Sequence, residues 1–297
     1  MGDHPFTDAV LTALLEVDAM IPGFAEGMAN EIASISGIPK HEPHYEQLLQ
    51  RLAEVHIIRR AVTFSWPFAP SFDWEPKPLS DSAKNPELRV AGGPETLLIE
   101  VKAPSLFRHI RKRGSNPTQL STRAIPPDSW SKLPEAERGI TLPRDNPVKD
   151  FLISADSKFS PLKKDREITI GILVIIWDDF IYEPISALLS DASGLFTPNS
   201  FARSDAASGP SFTSVDGVII IRHLHQLINA TRDEPFLDSC RGPFDYGQPD
   251  DFPPKAYVAN PSGKGLPSYV CDCFQAHVPG PDLGAEYVPS DLIWWNL

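Results

Sequence analysis

Two long apolar segments rich in β-branched residues constrain the fold more than any other feature of the sequence. Unbroken apolar runs occupy the centres of ITIGILVIIW (168–177) and VDGVIIIRHL (215–224). Runs of this kind are typical of strands that are buried on both faces, with helices covering the sheet on each side. A third strand is predicted at TLLIEVKAP (96–104), where Glu100 and Lys102 follow the apolar run.

Helical spacing of apolar residues occurs before and between these strands. It predicts helices over 6–37 (with a break at Pro22-Gly23), 44–60, 146–159 and 180–192. Shorter strands are predicted at 61–68 and 86–93, and loops at 69–85, 105–146 and 194–213. This alternation predicts an α/β fold with a central mixed β-sheet flanked by helices.

The chain of 297 residues has room for one large domain or two modest ones. We predict a helical N-terminal extension over residues 1–43 and a core over 44–230. Ten of the 31 prolines lie after residue 231. Residues 231–297 are therefore expected to form a Pro-rich C-terminal extension that packs on the core.

Several classes of protein do not fit the sequence. It has no apolar run of 18 residues and no basic, then apolar, N-terminal leader, so we expect a cytoplasmic protein without a membrane partner. A phosphate-binding P-loop, a dinucleotide fingerprint and a GxSxG elbow are all missing from the sequence. ATP-driven, redox and serine-hydrolase activities are therefore not favoured.

The segment NPELRVAGGPETLLIEVKAPS (85–105) carries the chemistry that we consider most informative. Side chains two residues apart on a strand share a face, which puts Glu100 and Lys102 together. A hairpin partner strand would bring Glu87 beside Glu100. Two neighbouring carboxylates favour a hard divalent cation such as Mg²⁺, and Lys102 would then be placed to orient a water molecule.

This pattern resembles the PD-(D/E)XK nuclease superfamily, whose fold is called restriction-endonuclease-like. The matching residues are Pro86-Glu87 and, at the end of an apolar strand, Glu100-Val101-Lys102. The resemblance covers roughly residues 44–224 and includes the order of elements. It implies a Mg²⁺- or Mn²⁺-dependent endonuclease that hydrolyses phosphodiester bonds of nucleic acid, above all DNA, and leaves a 5′-phosphate. Restriction or defence against foreign DNA is the setting it suggests.

The resemblance also implies further site residues. The family commonly has a glutamate on the first core helix, for which Glu46 is our first choice and Glu54 the second. It often has a lysine or glutamine on the helix after the motif strand, and Lys158 lies at that place. The family's usual aspartate is replaced by Glu87 here, so Asp73 remains a rival metal ligand.

The charge distribution bears on the partner. The net charge is −12, but residues 100–170 hold 14 basic and nine acidic side chains. Within that region we expect a basic loop, Arg108, Arg111, Lys112 and Arg113, to contact the phosphate backbone. A homodimer or a protein partner would help an acidic chain to bind DNA. The alternative is a non-catalytic nuclease-fold module that acts through protein–protein interaction, which the glutamate in place of aspartate and the negative charge favour.

Overall fold

A computed structural model describes residues 5–35, 41–77, 85–105, 107–116, 118–120, 122, 139–164, 168–178, 181–202, 212–289 and 293–295. The helices are α1 (Pro5–Asp18), α2 (Phe24–Ser34), α3 (Glu42–Thr63), α4 (Phe107–Ser115), α5 (Asp145–Lys164), α6 (Tyr182–Leu189), α7 (Leu224–Arg232) and α8 (Ser268–Phe274). The strands are β1 (Ser71–Trp74), β2 (Leu88–Ala91), β3 (Thr96–Lys102), β4 (Thr118–Leu120), β5 (Ile140–Thr141), β6 (Thr169–Trp177), β7 (Gly217–Arg222), β8 (Lys255–Ala259), β9 (Ala276–His277) and β10 (Ile293–Trp295). Two short 3₁₀ helices cover Pro281–Leu283 and Ala285–Tyr287.

Seven strands form one mixed sheet in the order β1-β2-β3-β6-β7-β8-β9. The first three strands are an antiparallel meander, whereas β3, β6 and β7 run parallel to one another. Strand β8 pairs antiparallel with β7, and β9 is parallel to β8. A second sheet of three short strands has the order β10-β4-β5. The predicted α/β class, with a central mixed sheet flanked by helices, is confirmed.

Helices cover both faces of the large sheet because its central strands are apolar on both sides. Every residue of β6 is buried. On one face Leu97, Ile99 and Val101 of β3 pack in a core with the N-terminal helices and with α7 and α8. On the other face Leu98 packs in a core with α5 and α6. Strand β3 is thereby enclosed by α3 on one side and α5 on the other.

The predicted strand over 61–68 is wrong, because α3 continues to Thr63 and no strand follows until β1. The Trp66 indole donates a hydrogen bond of 2.8 Å to the carbonyl oxygen of Ala61. Its ring also packs edge-on against Phe64. These aromatic residues therefore end the helix and fill the adjoining core, a role that a run of β-forming residues does not reveal.

Two predicted loops contain regular structure. Strand β1 lies within 69–85 and pairs with β2 residue by residue from Ser71 to Trp74. Helix α4 lies within 105–146, so the basic residues predicted to form a loop are helical. Residues 106, 117, 121 and 123–138 of that stretch lie outside the described residues.

The C-terminal segment contributes to the large sheet although its sequence has little periodicity. Strands β8 and β9 both come from residues after 231 and extend the sheet beyond β7. None of the described helices combines the length and the apolar character that a membrane crossing requires.

Candidate active site

Glu100 is the buried centre of the candidate site. Its neighbours Ile99 and Val101 point into the core on the α3 side of β3. Alternation along the strand therefore turns Glu100 and Lys102 toward α5, on the same face as Leu98. Glu100 is 0% exposed. A carboxylate in such a place requires charged or hydrogen-bonding partners.

Glu87 is held beside Glu100 by the register of the β2–β3 pair. Leu88 lies opposite Ile99, and the backbone N–H of Glu87 donates a hydrogen bond of 3.0 Å to the Ile99 carbonyl. The residue before Leu88 therefore lies next to the residue after Ile99. Glu87 is also buried. The hairpin geometry expected from the sequence brings these two carboxylates together.

Two lysine ammonium groups compensate these carboxylates. Lys102 Nζ lies 2.7 Å from Glu100 Oε1. Lys158, on α5, places its Nζ 2.6 Å from the same oxygen and 3.3 Å from Glu87 Oε1. Glu87, Glu100, Lys102 and Lys158 thus converge at the end of β3, and we call them the carboxylate–lysine cluster.

The protonation states follow from burial and from these pairs. Burial raises the pKa of Glu100 and the charge of Glu87 raises it further, while Lys102 and Lys158 work in the opposite direction. Burial opposes the charged form of Lys158, but Glu100 and Glu87 outweigh it and raise the pKa of this lysine. Lys158 is therefore a cation at neutral pH.

Glu54 is the helix carboxylate that approaches the cluster most directly. It is 2% exposed and accepts hydrogen bonds from Gln50 (2.9 Å) and Arg51 (2.7 Å) on the same helix. Burial and the charge of Glu87 raise its pKa to about 7. Glu54 is thus poised between its charged and neutral forms close to Glu87.

Gln50 connects α3 to the end of β3, the motif strand, through two hydrogen bonds. Its amide Nε2 donates to the carbonyl oxygen of Val101 at 3.0 Å, and its Oε1 accepts from the N–H of Ala103 at 2.8 Å. The side chain therefore hydrogen-bonds the backbone on both sides of Lys102, as a neighbouring strand would. Nothing in the sequence pattern predicts this role of Gln50, because an isolated glutamine on a helix carries no recognisable signal.

Glu46, the first choice for the helix carboxylate, forms its hydrogen bonds outside the carboxylate–lysine cluster. It accepts a hydrogen bond from Ser105 Oγ at 2.8 Å and a longer one from the Phe107 N–H at 3.4 Å. Glu46 still lines the cavity described below. Its hydrogen bonds place it at the first turn of α4, where a carboxylate also interacts favourably with the helix dipole.

Asp73 lies on β1 and pairs with Arg89 of the neighbouring strand. Arg89 Nε donates to Asp73 Oδ2 at 2.6 Å. The described lining of the cavity includes Glu87 and not Asp73. Of the two rival carboxylates, Glu87 is therefore the one that the fold brings to Glu100.

A cavity of about 730 Å³ opens over the carboxylate–lysine cluster. Most of its lining is polar: Glu46, Gln47, Gln50, Arg51, Glu54, Glu75, Asn85, Glu87, Lys102, Ser105 and Lys158. Glu100 lies beneath this lining, covered by the two lysines. The cavity has the size and the mixed charge to accept a polar, charged group next to the cluster.

The basic residues of α4 lie on an exposed helix next to this cavity. Arg108 and Arg111 are exposed, whereas Lys112 and Arg113 are half-buried. Arg111 forms an ion pair with Glu42, its Nη2 lying 3.0 Å from Glu42 Oε2. The positive charge of α4 is therefore partly offset within the protein.

A buried ion-pair network, which the sequence pattern does not predict, lies at the same end of the sheet. Arg144 donates two hydrogen bonds to Asp178, at 2.8 and 2.6 Å, and two to Glu183, from Nη2 and, at 2.7 Å, from Nε. The guanidinium also lies 4.5 Å over the ring of Trp177. His109 of α4 approaches Glu183 at 3.5 Å and so connects α4 to this network.

The described side chains offer two adjacent carboxylates for a metal ion. No group of three His, Cys, Asp or Glu side chains within the described ranges is arranged to hold one. One or two carboxylates, with water and substrate oxygens, are nevertheless the usual protein ligands of Mg²⁺. Glu87 and Glu100 fit that donor set, and the Lys158 ammonium lies where a cation can neutralise both carboxylates.

Comparisons of the chain with family models, with curated proteins and with solved structures find no match in any of the three.

Proposed function

We propose that this chain is a Mg²⁺-dependent nuclease of the PD-(D/E)XK type that hydrolyses phosphodiester bonds of DNA. The single observation that carries the proposal is the convergence of Glu87, Glu100, Lys102 and Lys158 at the end of β3. These residues come from three separate segments of the chain. The sequence pattern predicts three of them, Glu87, Glu100 and Lys102, and Lys158 lies at the place after the motif strand that the resemblance implies.

The order of elements around the cluster also supports a restriction-endonuclease-like core. Helix α3 precedes an antiparallel hairpin whose last strand, β3, bears the Glu-X-Lys motif. Helix α5 follows and brings Lys158, after which β6 pairs parallel to β3. The motif therefore lies on a central strand that belongs to the hairpin on one edge and to the parallel part of the sheet on the other.

Glu87 and Glu100 are the residues that would hold Mg²⁺. When bound, the ion would supply positive charge against the developing negative charge of a phosphodiester and acidify a coordinated water. Lys102 and Glu87 both line the cavity. The Lys102 ammonium is paired with Glu100 in the metal-free protein. Released from that pair, it can orient a water molecule beside a phosphate. Glu54, with a pKa of about 7, is a proton acceptor within the same cavity.

Helix α4 is the surface that we assign to the nucleic acid backbone. Arg108 and Arg111 are exposed on it, and Ser105 and Glu46 connect its first turn to the cavity. Arginine and lysine contacts to phosphate give affinity without reading the base sequence. With a net charge of −12, a dimer or a basic partner would strengthen binding.

A non-catalytic module remains the second candidate, and one observation favours it. Lys158 already neutralises both carboxylates that a metal would need. A cluster in which ammonium groups permanently satisfy the carboxylates would hold the sheet end together without binding a metal. The two candidates differ in whether Mg²⁺ or Mn²⁺ displaces the ammonium.

The experiment that tests the proposal is a cleavage assay on the full chain. Supercoiled, linear and single-stranded DNA are incubated with Mg²⁺ or Mn²⁺, with excess chelator as the blank. We expect metal-dependent nicking or cutting that Glu100→Gln abolishes and that Glu234→Gln, an exposed control, leaves intact. Absence of cleavage together with absence of Mn²⁺ binding would favour the non-catalytic module.

A further inference from the structure

The end of β3 lacks a strand partner on one of its two edges. Its pairing with β2 ends at Ile99, whose carbonyl oxygen accepts a hydrogen bond from the Glu87 N–H at 3.0 Å. On the other edge β6 stays paired as far as Lys102. Backbone groups along a strand point to alternate edges, so those of Val101 and Ala103 lie on the edge where β2 has ended. They need hydrogen-bond partners from another part of the chain.

Gln50 supplies both partners with a single side-chain amide. Its Nε2 donates to the Val101 carbonyl oxygen at 3.0 Å, and its Oε1 accepts from the Ala103 N–H at 2.8 Å. The same Nε2 also donates to Glu54 Oε1 at 2.9 Å. The nitrogen of an amide can only donate and its oxygen can only accept, so these three bonds fit one orientation of the group. The amide is therefore held at three points.

Lys102 is the residue that lies between these two backbone bonds. Its side chain is 20% exposed and lines the cavity, and its Nζ lies 2.7 Å from Glu100 Oε1. A lysine side chain is a flexible four-carbon stem, so the place of its ammonium depends on a fixed backbone. Strand β6 fixes that backbone from one edge and Gln50 from the other. Lys158 reaches the same carboxylate from α5 and does not depend on the backbone that Gln50 holds.

We propose that Gln50 is a positioning residue for Lys102, because it holds the backbone on both sides and so directs the ammonium toward the water and phosphate of the reaction. The part played by Lys102 in that reaction rests on the proposed nuclease function. A displacement of about 1 Å at a reacting group can slow a reaction by about 10²-fold. Loss of Gln50 should therefore slow the chemical step while metal and DNA still bind.

A purely structural role of Gln50 has different consequences. Its bonds would then stabilise the contact between α3 and β3 without acting on Lys102 in particular. Loss of Gln50 would lower stability and loosen Lys102 and Lys158 alike, since both contact Glu100. The two lysines of the cluster therefore discriminate between a positioning role and a structural one.

Acetylation of the full chain by acetic anhydride, followed by peptide mass spectrometry, measures the reactivity of each lysine and requires no nuclease activity. In Gln50→Leu we expect Lys102 to react about two- to tenfold faster than in the wild type, the range for loss of one ordinary hydrogen bond. Lys158 and the exposed Lys264 should react at unchanged rates. Equal acceleration of Lys102 and Lys158, or no acceleration of Lys102, would overturn the proposal.

Gln50→Glu covers the case in which Gln50→Leu does not fold. Its carboxylate still accepts from the Ala103 N–H but offers no donor to Val101 or Glu54, so the same selective acceleration of Lys102 is expected. Gln248→Leu replaces an exposed glutamine in another part of the chain. As the matched control, it should leave the rates of all lysines unchanged.

Cleavage kinetics test the same relation in the proposed reaction. With saturating DNA, Gln50→Leu should lower kcat by about 10- to 100-fold and change the KM for DNA and the Mn²⁺ affinity little. In a Lys102→Ala background the same substitution should have a much smaller effect, because no ammonium is left to position. An equal loss in both backgrounds would mean that Gln50 acts through Glu54 or through the fold, against the proposal. A wild type that cleaves no DNA would refute the nuclease function, and the lysine rates would still decide whether Gln50 positions Lys102.

Discussion

Lys158 on α5 forms an ion pair with Glu100 on β3 in which one ammonium faces both carboxylate oxygens, at 2.6 Å from Oε1 and 2.8 Å from Oε2. The same Nζ lies 3.3 Å from Glu87. A metal that binds Glu87 and Glu100 must therefore compete with this lysine. The ion pairs of Lys158 therefore stabilise the metal-free protein and, at the same time, weaken metal binding at Glu87 and Glu100.

Lys158→Met is expected to destabilise the metal-free protein by about 3 kcal/mol, because Lys158 is the ammonium that contacts both Glu87 and Glu100, whereas Lys102 contacts Glu100 alone. Mn²⁺ should restore much of that loss, so the rise in Tm on adding Mn²⁺ should be larger than in the wild type. Lys149→Met, on the same helix and away from the cluster, is the control. Equal Mn²⁺ shifts in all three proteins would mean that no metal binds between Glu87 and Glu100.

Lys102→Ala should reduce metal-dependent DNA cleavage by about 10²–10⁴-fold, the range for loss of a group that assists proton transfer. Folding should change little, since Lys158 still compensates Glu100. Cleavage rates on saturating DNA and urea unfolding check the two parts separately. Lys264→Ala removes an exposed lysine elsewhere. Comparable rates in both variants would exclude a role for Lys102 in the chemistry.

Glu87→Gln should weaken Mn²⁺ binding strongly, whereas Asp73→Asn should change it little. The reason is position: Glu87 lies beside Glu100 and lines the cavity, while Asp73 is paired with Arg89 on the neighbouring strand. Calorimetric titration of the two variants measures both affinities. The opposite ranking would identify Asp73 as the ligand and make the position of Glu87 coincidental.

Replacing Arg108, Arg111, Lys112 and Arg113 together by alanine should weaken DNA binding about equally for all sequences. Each lost phosphate contact lowers the slope of log affinity against log salt by about one, so the slope should fall by at most about four. The pair with Glu42 should reduce the contribution of Arg111. Salt titrations of DNA binding measure the slope, and an unchanged slope would place the nucleic acid elsewhere.

Glu183→Gln should destabilise the protein by about 3 kcal/mol at pH 7, because the buried Arg144 loses one of its two carboxylates. Burial opposes the charged form of Glu183, but Arg144 outweighs it and lowers the pKa of this carboxyl to about 2. A carboxyl whose pKa is lower in the folded than in the unfolded chain stabilises above its unfolded value of 4.5 and loses that contribution as pH falls toward 2.

The stability difference between wild type and Glu183→Gln should therefore be constant near neutral pH and shrink below about pH 4.5. Urea unfolding between pH 3 and 8 measures it. A difference that stays the same down to pH 3 would show that the negative charge of Glu183 is not what stabilises the network.

Much of the candidate site was predictable because it depends on local regularity. Alternation along β3 is a property of any strand, so Glu100 and Lys102 share a face whatever surrounds them. The hairpin that brings Glu87 to Glu100 spans few residues and is fixed by the pairing of Leu88 with Ile99. Both relations arise within one short segment of chain.

The helix carboxylate and the basic segment were less predictable. Glu46 and Glu54 lie eight residues apart on α3, and a helix period alone does not say which one meets the strand. Gln50, by holding the end of β3, fixes the rotation of α3 so that Glu54 approaches Glu87 and Glu46 approaches α4. The sequence shows that residues 108–113 are basic, but it does not predict the helix that they form.

The class of fold and the paired motif follow from the sequence alone, because apolar runs and two-residue alternation act over distances of a few residues. Which distant side chains meet depends instead on tertiary packing: Lys158 lies 58 residues from Glu100, and Arg144 lies 39 residues from Glu183. Such pairs depend on how helices pack on the two faces of the sheet. Packing is a collective result of the whole core, and no local pattern records it.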